Sequence, residues 1–122
     1  MNVIVFASRK GGSGKSTLAA HLAAQIKATK SCLLIDADPQ GSLTLWHKLR
    51  GTNEPPIKPA VNSIGGILAQ ARRDGVEWVL VDTPPNLSAV ARSPYGAAPR
   101  CCGLCCQLLP APPLFPTFCL LL

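Results

Sequence analysis

The sequence predicts an α/β fold, in which a parallel sheet is flanked by helices in a three-layer arrangement. Two observations carry this prediction. Short apolar runs recur at residues 2–7, 31–38 and 76–85, and a helical pattern separates the first two. Such runs suit strands that are buried on both faces, and strands that alternate with helices form parallel sheets with right-handed crossovers. We expect the recognisable fold to be truncated after the third run.

The elements follow one another along the first part of the chain. The run NVIVFA at 2–7 predicts a strand, and KSTLAAHLAAQIKATK after it places Leu18, Leu22 and Ile26 on one helix face. The runs SCLLIDAD and VEWVLVDTPP predict the next two strands, and each contains Asp near its end. Between these two strands we expect a loop at 49–60 and a second helix near 64–73.

Size and charge set wide limits on the function. The chain has 122 residues and a formal net charge of +6, which fits one domain with a modest core. The basic balance permits a nucleotide, a nucleic acid or an acidic lipid as partner without choosing among them. No run approaches the ~18 apolar residues of a membrane helix, and the N-terminus lacks the order of a secretory signal. We therefore expect a cytoplasmic protein without a membrane partner.

The composition changes near residue 93, and we divide the chain there into residues 1–93 and 94–122. Every Asp and Glu lies at or before Asp82, whereas the Cys/Pro-rich tail has Arg100 as its one charge and prolines at 94, 99, 110, 112, 113 and 116. Prolines at that spacing interrupt helices and strands, so we expect an unstructured tail. Our hypothesis is that the tail is aberrant, for example translated out of frame, which the coding DNA would decide.

Five of the six cysteines lie in that tail, and Cys102 and Cys105 form a C-x-x-C pair. A zinc or iron–sulfur site needs about four ligands, and spacing alone is a poor basis for one. We therefore predict no metal on this pair.

The strongest functional signal is SRKGGSGKST, residues 8–17, between the first strand and the helix. Glycines let backbone N–H groups converge on one anion, and a helix that begins near Lys15 adds its positive N-terminal end. The pattern predicts that Lys15 reaches the β- and γ-phosphates of a nucleotide and that the Ser16 hydroxyl binds Mg²⁺. The predicted nucleotide-binding residues are Lys10, Gly11, Gly12, Ser13, Gly14, Lys15, Ser16 and Thr17.

This stretch resembles the deviant Walker A motif of the ParA/MinD family of P-loop ATPases. Arg9 stands where an ordinary P-loop has glycine, and Lys10 matches the early lysine of the family. The resemblance implies that Lys10 crosses a dimer interface to the partner's ATP, where it would act like an arginine finger. It also implies the P-loop NTPase form of the α/β fold.

Two further stretches resemble the blocks of that family in the same order. LLIDADPQGSLT has an aspartate pair before Pro-Gln-Gly, and WVLVDTPPNLS resembles the Walker B and second switch block. Acids at the carboxyl ends of parallel strands face the ligand crevice. The resemblance implies that Asp38 positions the attacking water, Asp36 supports the Mg²⁺ site and Asp82 holds a Mg²⁺-bound water. Each acid alone also fits a simpler role, as a carboxylate that caps the next turn.

The resemblance covers residues 1–93 and implies a Mg²⁺-dependent ATPase that acts in plasmid or chromosome partitioning. Its cofactors would be ATP and Mg²⁺, and its catalytic residues Lys10, Lys15 and Asp38. Its partners would be a second copy of the chain, non-specific DNA and an adaptor protein. The alternative is a non-enzymatic, truncated or frameshifted remnant with at most weak nucleotide binding, because the adenine pocket and dimer surface of the family are not recognisable here.

Several other residues carry weaker signals. His21, Trp46 and His47 have no partner motif, and we interpret them as packed or surface residues. A second group of basic residues either contacts DNA phosphates or forms a solvated face: Lys48, Arg50, Arg72 and Arg73.

Overall fold

The computed structural model describes residues 1–8, 11–60, 64–85, 100–101 and 117–121, the last two ranges by their backbone alone. The elements in chain order are β1 (Asn2–Ala7), α1 (Lys15–Lys27), β2 (Cys32–Asp36), α2 (Ser42–Leu49), β3 (Ile57–Pro59), α3 (Ile64–Arg73), β4 (Trp78–Asp82), β5 (Arg100–Cys101) and β6 (Thr117–Leu121).

The strands form one sheet in the order β3-β2-β4-β1-β6-β5, and neighbouring strands run parallel. The chain therefore crosses over between parallel neighbours, and α1, α2 and α3 make the connections from β1 through β4. The predicted fold class, a parallel sheet with flanking helices, is confirmed. Because all strands point the same way, the carboxyl ends of β1, β2 and β4 lie side by side at one edge of the sheet.

Alternation along the strands builds a core on each face of the sheet. In β4, Val79 and Val81 pack in the cluster that contains Ile64 and Ala71 of α3, whereas Leu80 packs on the opposite face. Successive strand side chains point to opposite faces, so one apolar run supplies both cores. The second cluster brings α1 and α2 onto the sheet, with Phe6, Ala19, Ala20, Ala23, Cys32, Leu34, Leu43 and Leu80 as its buried members.

The middle of the chain differs from the prediction in two places. The prediction of a loop at 49–60 was wrong for Ile57–Pro59, which pairs with β2 as the edge strand β3. Proline is tolerated there because an edge strand leaves one side of its backbone unpaired. The helix α2 was not predicted, and Leu43 is its one buried residue. A helix of this length leaves too short a pattern for periodicity to detect.

Two segments of the predicted tail also lie in the sheet. Thr117–Leu121 pairs with β1 in parallel, and Arg100–Cys101 pairs with Thr117–Leu121 in turn. The sequence did not predict these strands, because β6 pairs with β1, which is far away in the chain, and β5 joins the sheet only through β6. The division of the chain near residue 93 and its out-of-frame origin stay predictions. Cys102 and Cys105 lie outside the described residues. Within the described ranges, no helix has the length and apolar character to cross a bilayer.

Candidate functional site

The loop after β1 and the N-terminus of α1 lie at the edge where the strands end. Residue Gly14 precedes the helix with φ 82°, and Gly12 has φ 72°. Both angles are left-handed, which only glycine adopts without strain. Among the described residues, no atom lies within 4 Å of a β-carbon added at Gly11, Gly12 or Gly14. The space beside this loop is therefore open to a ligand.

The first turn of α1 presents unsatisfied amides to that open space. No side chain caps the helix at Gly14, and the first helical bond runs from the Leu18 amide to the Gly14 carbonyl at 2.9 Å. The amides that precede Leu18 in the helix have no acceptor within it, and they lie at the positive end of the helix dipole. This end of α1 fits an anion such as a phosphate.

Lys15 is held beside these amides by a neutral partner. Its side chain is buried, with the residue 6% exposed, and its ammonium donates to the Ser8 hydroxyl at 3.0 Å. Ser13 donates to the same oxygen at 2.8 Å. A buried cation whose hydrogen bond goes to an uncharged group favours the approach of an anion. The sequence did not single out Ser8, although it stands directly after β1 and before the glycines.

Asp36 and Asp82 occupy matching positions at the ends of β2 and β4, where the register pairs them directly. Both are buried, yet their surroundings differ. Asp36 accepts three hydrogen bonds: from the Thr44 amide at 2.8 Å, from the Thr44 hydroxyl at 2.7 Å and from the Asp38 amide at 3.2 Å. Asp38 in turn accepts the Gln40 amide at 2.9 Å. Asp36 and Asp38 thus have the capping geometry that the sequence left open for them.

Capping does not use the whole of the Asp36 carboxylate. An ionised carboxylate has about four acceptor positions, and three of them are filled here. Its Oδ1 accepts one of these three bonds and has the capacity to accept another. Support of a Mg²⁺ site by Asp36 through water therefore stays a prediction, as does the positioning of water by Asp38.

Within the described ranges, Asp82 is a buried acid that accepts no hydrogen bond from the protein. Its residue is 0% exposed, and neither carboxylate oxygen accepts a hydrogen bond from the part of the chain that the structure describes. Burial raises the pKa of Asp82 to about 6, and the charges of Asp36 and Asp38 act in the same direction. The nearby Ser16 hydroxyl and the Lys15 ammonium lower that pKa. An unpartnered buried carboxylate is costly, so a cation or water is expected beside it.

The oxygen atoms near Asp82 fit Mg²⁺. This cation prefers oxygen ligands, takes one or two carboxylates and keeps several waters. Asp82 offers two unused oxygens and Ser16 a hydroxyl nearby. Across residues 1–8, 11–60 and 64–85, no three His, Cys, Asp or Glu side chains cluster closely enough to hold a metal ion. A magnesium ion here would therefore take other ligands from phosphate and water.

Two cavities adjoin the site on either side of α2. One of about 170 Å³ lies between α1 and α2 and is lined by Ser16, Thr17, Ala20, His21, Ser42, Leu43 and Trp46. The other, of about 240 Å³, is lined by Asp36, Asp38, Pro39, Gly41, Thr44, Leu45, Lys48 and Pro59. His21 and Trp46 thus line a cavity near Ser16, while His47 hydrogen-bonds the Pro55 carbonyl at 2.8 Å.

The other basic candidates lie apart from this edge or outside the described chain. Arg50 stacks over the Trp46 ring at 4.7 Å, and Arg73 donates to Gln70 at the end of α3. Arg72 lies beside Arg73 in the last turn of α3. Lys10 is outside the described residues, so its predicted role across a dimer stays a prediction.

The fold and the edge of the sheet define a nucleotide-binding α/β domain. The sequence profile of the CbiA family, the CobQ/CobB/MinD/ParA nucleotide binding domain, matches residues 4–92. The chain belongs to this family.

Relatives within the family include proteins with named roles. The chain is 41% identical over 90 residues to "Maintenance of carboxysome distribution protein A" of Gloeobacter kilaueensis, which covers 73% of this chain and 41% of that protein. It is 32% identical over 129 aligned positions to "Chromosome-partitioning ATPase Soj" of Thermus thermophilus, covering 78% of this chain and 51% of the relative. The chain thus spans about half the length of these curated relatives.

A solved structure agrees with the fold. A plasmid partition protein from Borrelia burgdorferi superposes with a TM-score of 0.50 at 21% sequence identity. The superposition covers 72% of this chain and 57% of that one. At this identity the likeness shows the fold alone.

Proposed function

We propose that this chain binds ATP with Mg²⁺ and, as an ATP-dependent dimer, hydrolyses the nucleotide in the manner of a ParA-type partition ATPase. The observation that carries the proposal is the buried Lys15 ammonium, held by neutral Ser8 beside the uncapped start of α1. The Lys15 ammonium, the first-turn amides of α1 and the glycine-rich loop together supply the positive groups that a chain of phosphates requires.

The reaction is phosphoryl transfer to water, in which the protein mainly positions groups and neutralises charge. The amides of α1 and Lys15 would bind the β- and γ-phosphates, Ser16 would bind Mg²⁺, and Asp82 would hold a Mg²⁺-bound water. The bound metal supplies positive charge that offsets the charge of the phosphates. Asp38 orients the attacking water, and Asp36 supports the metal site through water. Lys10 of a second copy completes the neutralisation.

The biological setting that we propose is the positioning of a large cargo, such as a plasmid or chromosome, in the cytoplasm. Two of the relatives are named for chromosome partitioning and for carboxysome distribution. A net charge of +6 is compatible with non-specific binding to DNA. An adaptor protein would link the ATPase to its cargo.

The alternative is a remnant that binds nucleotide at most weakly and does not turn it over. Its support is that the adenine pocket and the dimer surface of the family are not recognisable in this sequence. Under this alternative the phosphate end of the site is retained, and the surfaces that complete an adenine pocket and a dimer are not.

Calorimetry with ATP and Mg²⁺, followed by turnover measurements with and without DNA, separates the two candidates. Saturable binding with DNA-stimulated release of phosphate is the expected result for a partition ATPase. Saturable but weak binding without turnover, in a protein that stays monomeric with ATP, would favour the remnant. The absence of any binding would contradict the partition ATPase.

A further inference from the structure

The start of α2 has an unusual cap. Gly41 is the residue before the helix, with φ 63°, and it has no side chain that could accept a helix amide. The Thr44 amide is the third of the helix and needs an acceptor from elsewhere. Asp36, eight residues earlier at the end of β2, accepts it at 2.8 Å. The Asp36 carboxylate of the candidate site thus takes the place of the N-cap side chain that Gly41 lacks.

Thr44 adds a second bond to the same oxygen. Its hydroxyl donates to Asp36 Oδ2 at 2.7 Å, and Asp36 is 1% exposed. A hydrogen bond to a charged group is short and strong, and burial protects it from competing water. The other oxygen, Oδ1, accepts the Asp38 amide at 3.2 Å. One carboxylate therefore joins the end of β2, the turn that contains Asp38, and α2.

We propose that Thr44 is a positioning residue for the phosphate end of the site. Its hydroxyl fixes the Asp36 carboxylate, and through it the turn at residues 37–41 that places Asp38. This inference rests on the proposed function, since the groups that it positions are those assigned there to water and Mg²⁺. Thr44 itself touches neither in this assignment.

Two substitutions separate the hydroxyl from the rest of the residue. Thr44→Val keeps the shape and the backbone amide and removes the hydroxyl, whereas Thr44→Ser keeps the hydroxyl. Thr29→Val is the matched control, because Thr29 is an exposed threonine just after the C-terminal end of α1. Thermal unfolding and circular dichroism of each variant test whether it is folded.

The first measurement needs no nucleotide. Amide hydrogen exchange of residues 37–45 reports whether the turn and the start of α2 are held. In Thr44→Val we expect roughly tenfold faster exchange of this segment, with α1 and β4 unchanged. Thr44→Ser and Thr29→Val should exchange like the wild-type protein. Equal exchange in Thr44→Val and wild type would contradict the positioning role.

The second measurement is the gain in ATP affinity that Mg²⁺ supplies, taken as the ratio of dissociation constants in EDTA and in Mg²⁺. Thr44→Val should lower this gain by about tenfold, as expected for the loss of one charge-assisted hydrogen bond, while its affinity in EDTA stays within about twofold of wild type. Thr44→Ser should restore the gain. An equal loss in EDTA and in Mg²⁺, together with a lower unfolding temperature, would show a purely structural cap and overturn the proposal.

The two hypotheses fail in different ways. A wild-type protein whose ATP affinity does not respond to Mg²⁺ would contradict the proposed function and, with it, the role of Thr44 at that site. A wild-type protein that responds, beside a Thr44→Val variant that responds equally well, would overturn the role of Thr44 alone.

Discussion

Asp36 and Asp82 are directly paired across β2 and β4, and both are buried, but within the described ranges Asp36 accepts three hydrogen bonds and Asp82 none. Identical side chains at matching strand ends therefore have different chemistry. The Asp36 carboxylate holds the following turn and the start of α2 through its three hydrogen bonds. Both Asp82 oxygens are left without a hydrogen bond from the described residues.

Lys15→Ala should remove ATP binding, because it deletes a buried ammonium in the first turn of α1. We expect the dissociation constant for Mg²⁺-ATP, measured by calorimetry, to rise at least about a hundredfold, or ~2.7 kcal/mol. Lys58→Ala is the control, since Lys58 is an exposed residue of β3. Unchanged binding in Lys15→Ala would contradict the phosphate site.

Lys10→Ala should spare ATP binding and remove turnover, because the family resemblance assigns Lys10 to the ATP of a second copy. Phosphate release and calorimetry on one preparation measure both quantities. Arg9→Ala removes the neighbouring positive charge and serves as control for a general effect of net charge. Full hydrolysis by Lys10→Ala would rule out the role across the dimer.

Asp82 should make the protein less stable as the pH rises. Its pKa of about 6 in the folded protein lies above the ordinary value of 3.8, so the folded protein holds this proton more tightly than the unfolded chain. The contribution of Asp82 to the free energy of unfolding therefore falls as the pH rises from about 4 through 6, by up to ~3 kcal/mol.

Asp82→Asn isolates this contribution, because it keeps the shape of the side chain and removes its charge. Denaturant unfolding of both proteins at pH 4.5 and pH 7.5 measures the difference between them. We expect Asp82→Asn to be the more stable protein at the higher pH, by about 1–3 kcal/mol, and the gap to shrink at the lower pH. A gap that does not change with pH would mean that Asp82 is not an ionised, unpartnered acid.

Cys119→Pro should destabilise the protein, because Cys119 pairs with Val5 of β1 on one side and with Cys101 of β5 on the other. Proline cannot donate to the ladder in the interior of a sheet. We expect a loss of roughly 3 kcal/mol in the free energy of unfolding. Cys119→Ala, which keeps the backbone amide, is the control. Equal stability of the two variants would mean that β6 contributes little to the sheet.

Local patterns allowed much of the fold to be predicted. The helix over 64–73 and the strands that end in Asp36 and Asp82 follow from apolar periodicity within single segments. Short elements escaped prediction for the same reason. Three residues of β3 and eight of α2 carry too little periodicity, and β6 depends on pairing with a distant strand.

The sequence by itself determined the type of fold and the glycine-rich loop before α1, because the glycine spacing, Lys15 and the strand before it form one continuous stretch whose physics is local. It also determined that aspartates stand at the carboxyl ends of β2 and β4. Only the tertiary structure decided which of the two aspartates, Asp36 or Asp82, accepts hydrogen bonds from the described residues. The order of the strands sets Asp36 beside Asp82, and the position of α2 brings Thr44 to Asp36. These contacts join segments that are separate in the chain, so no pattern within one segment encodes them.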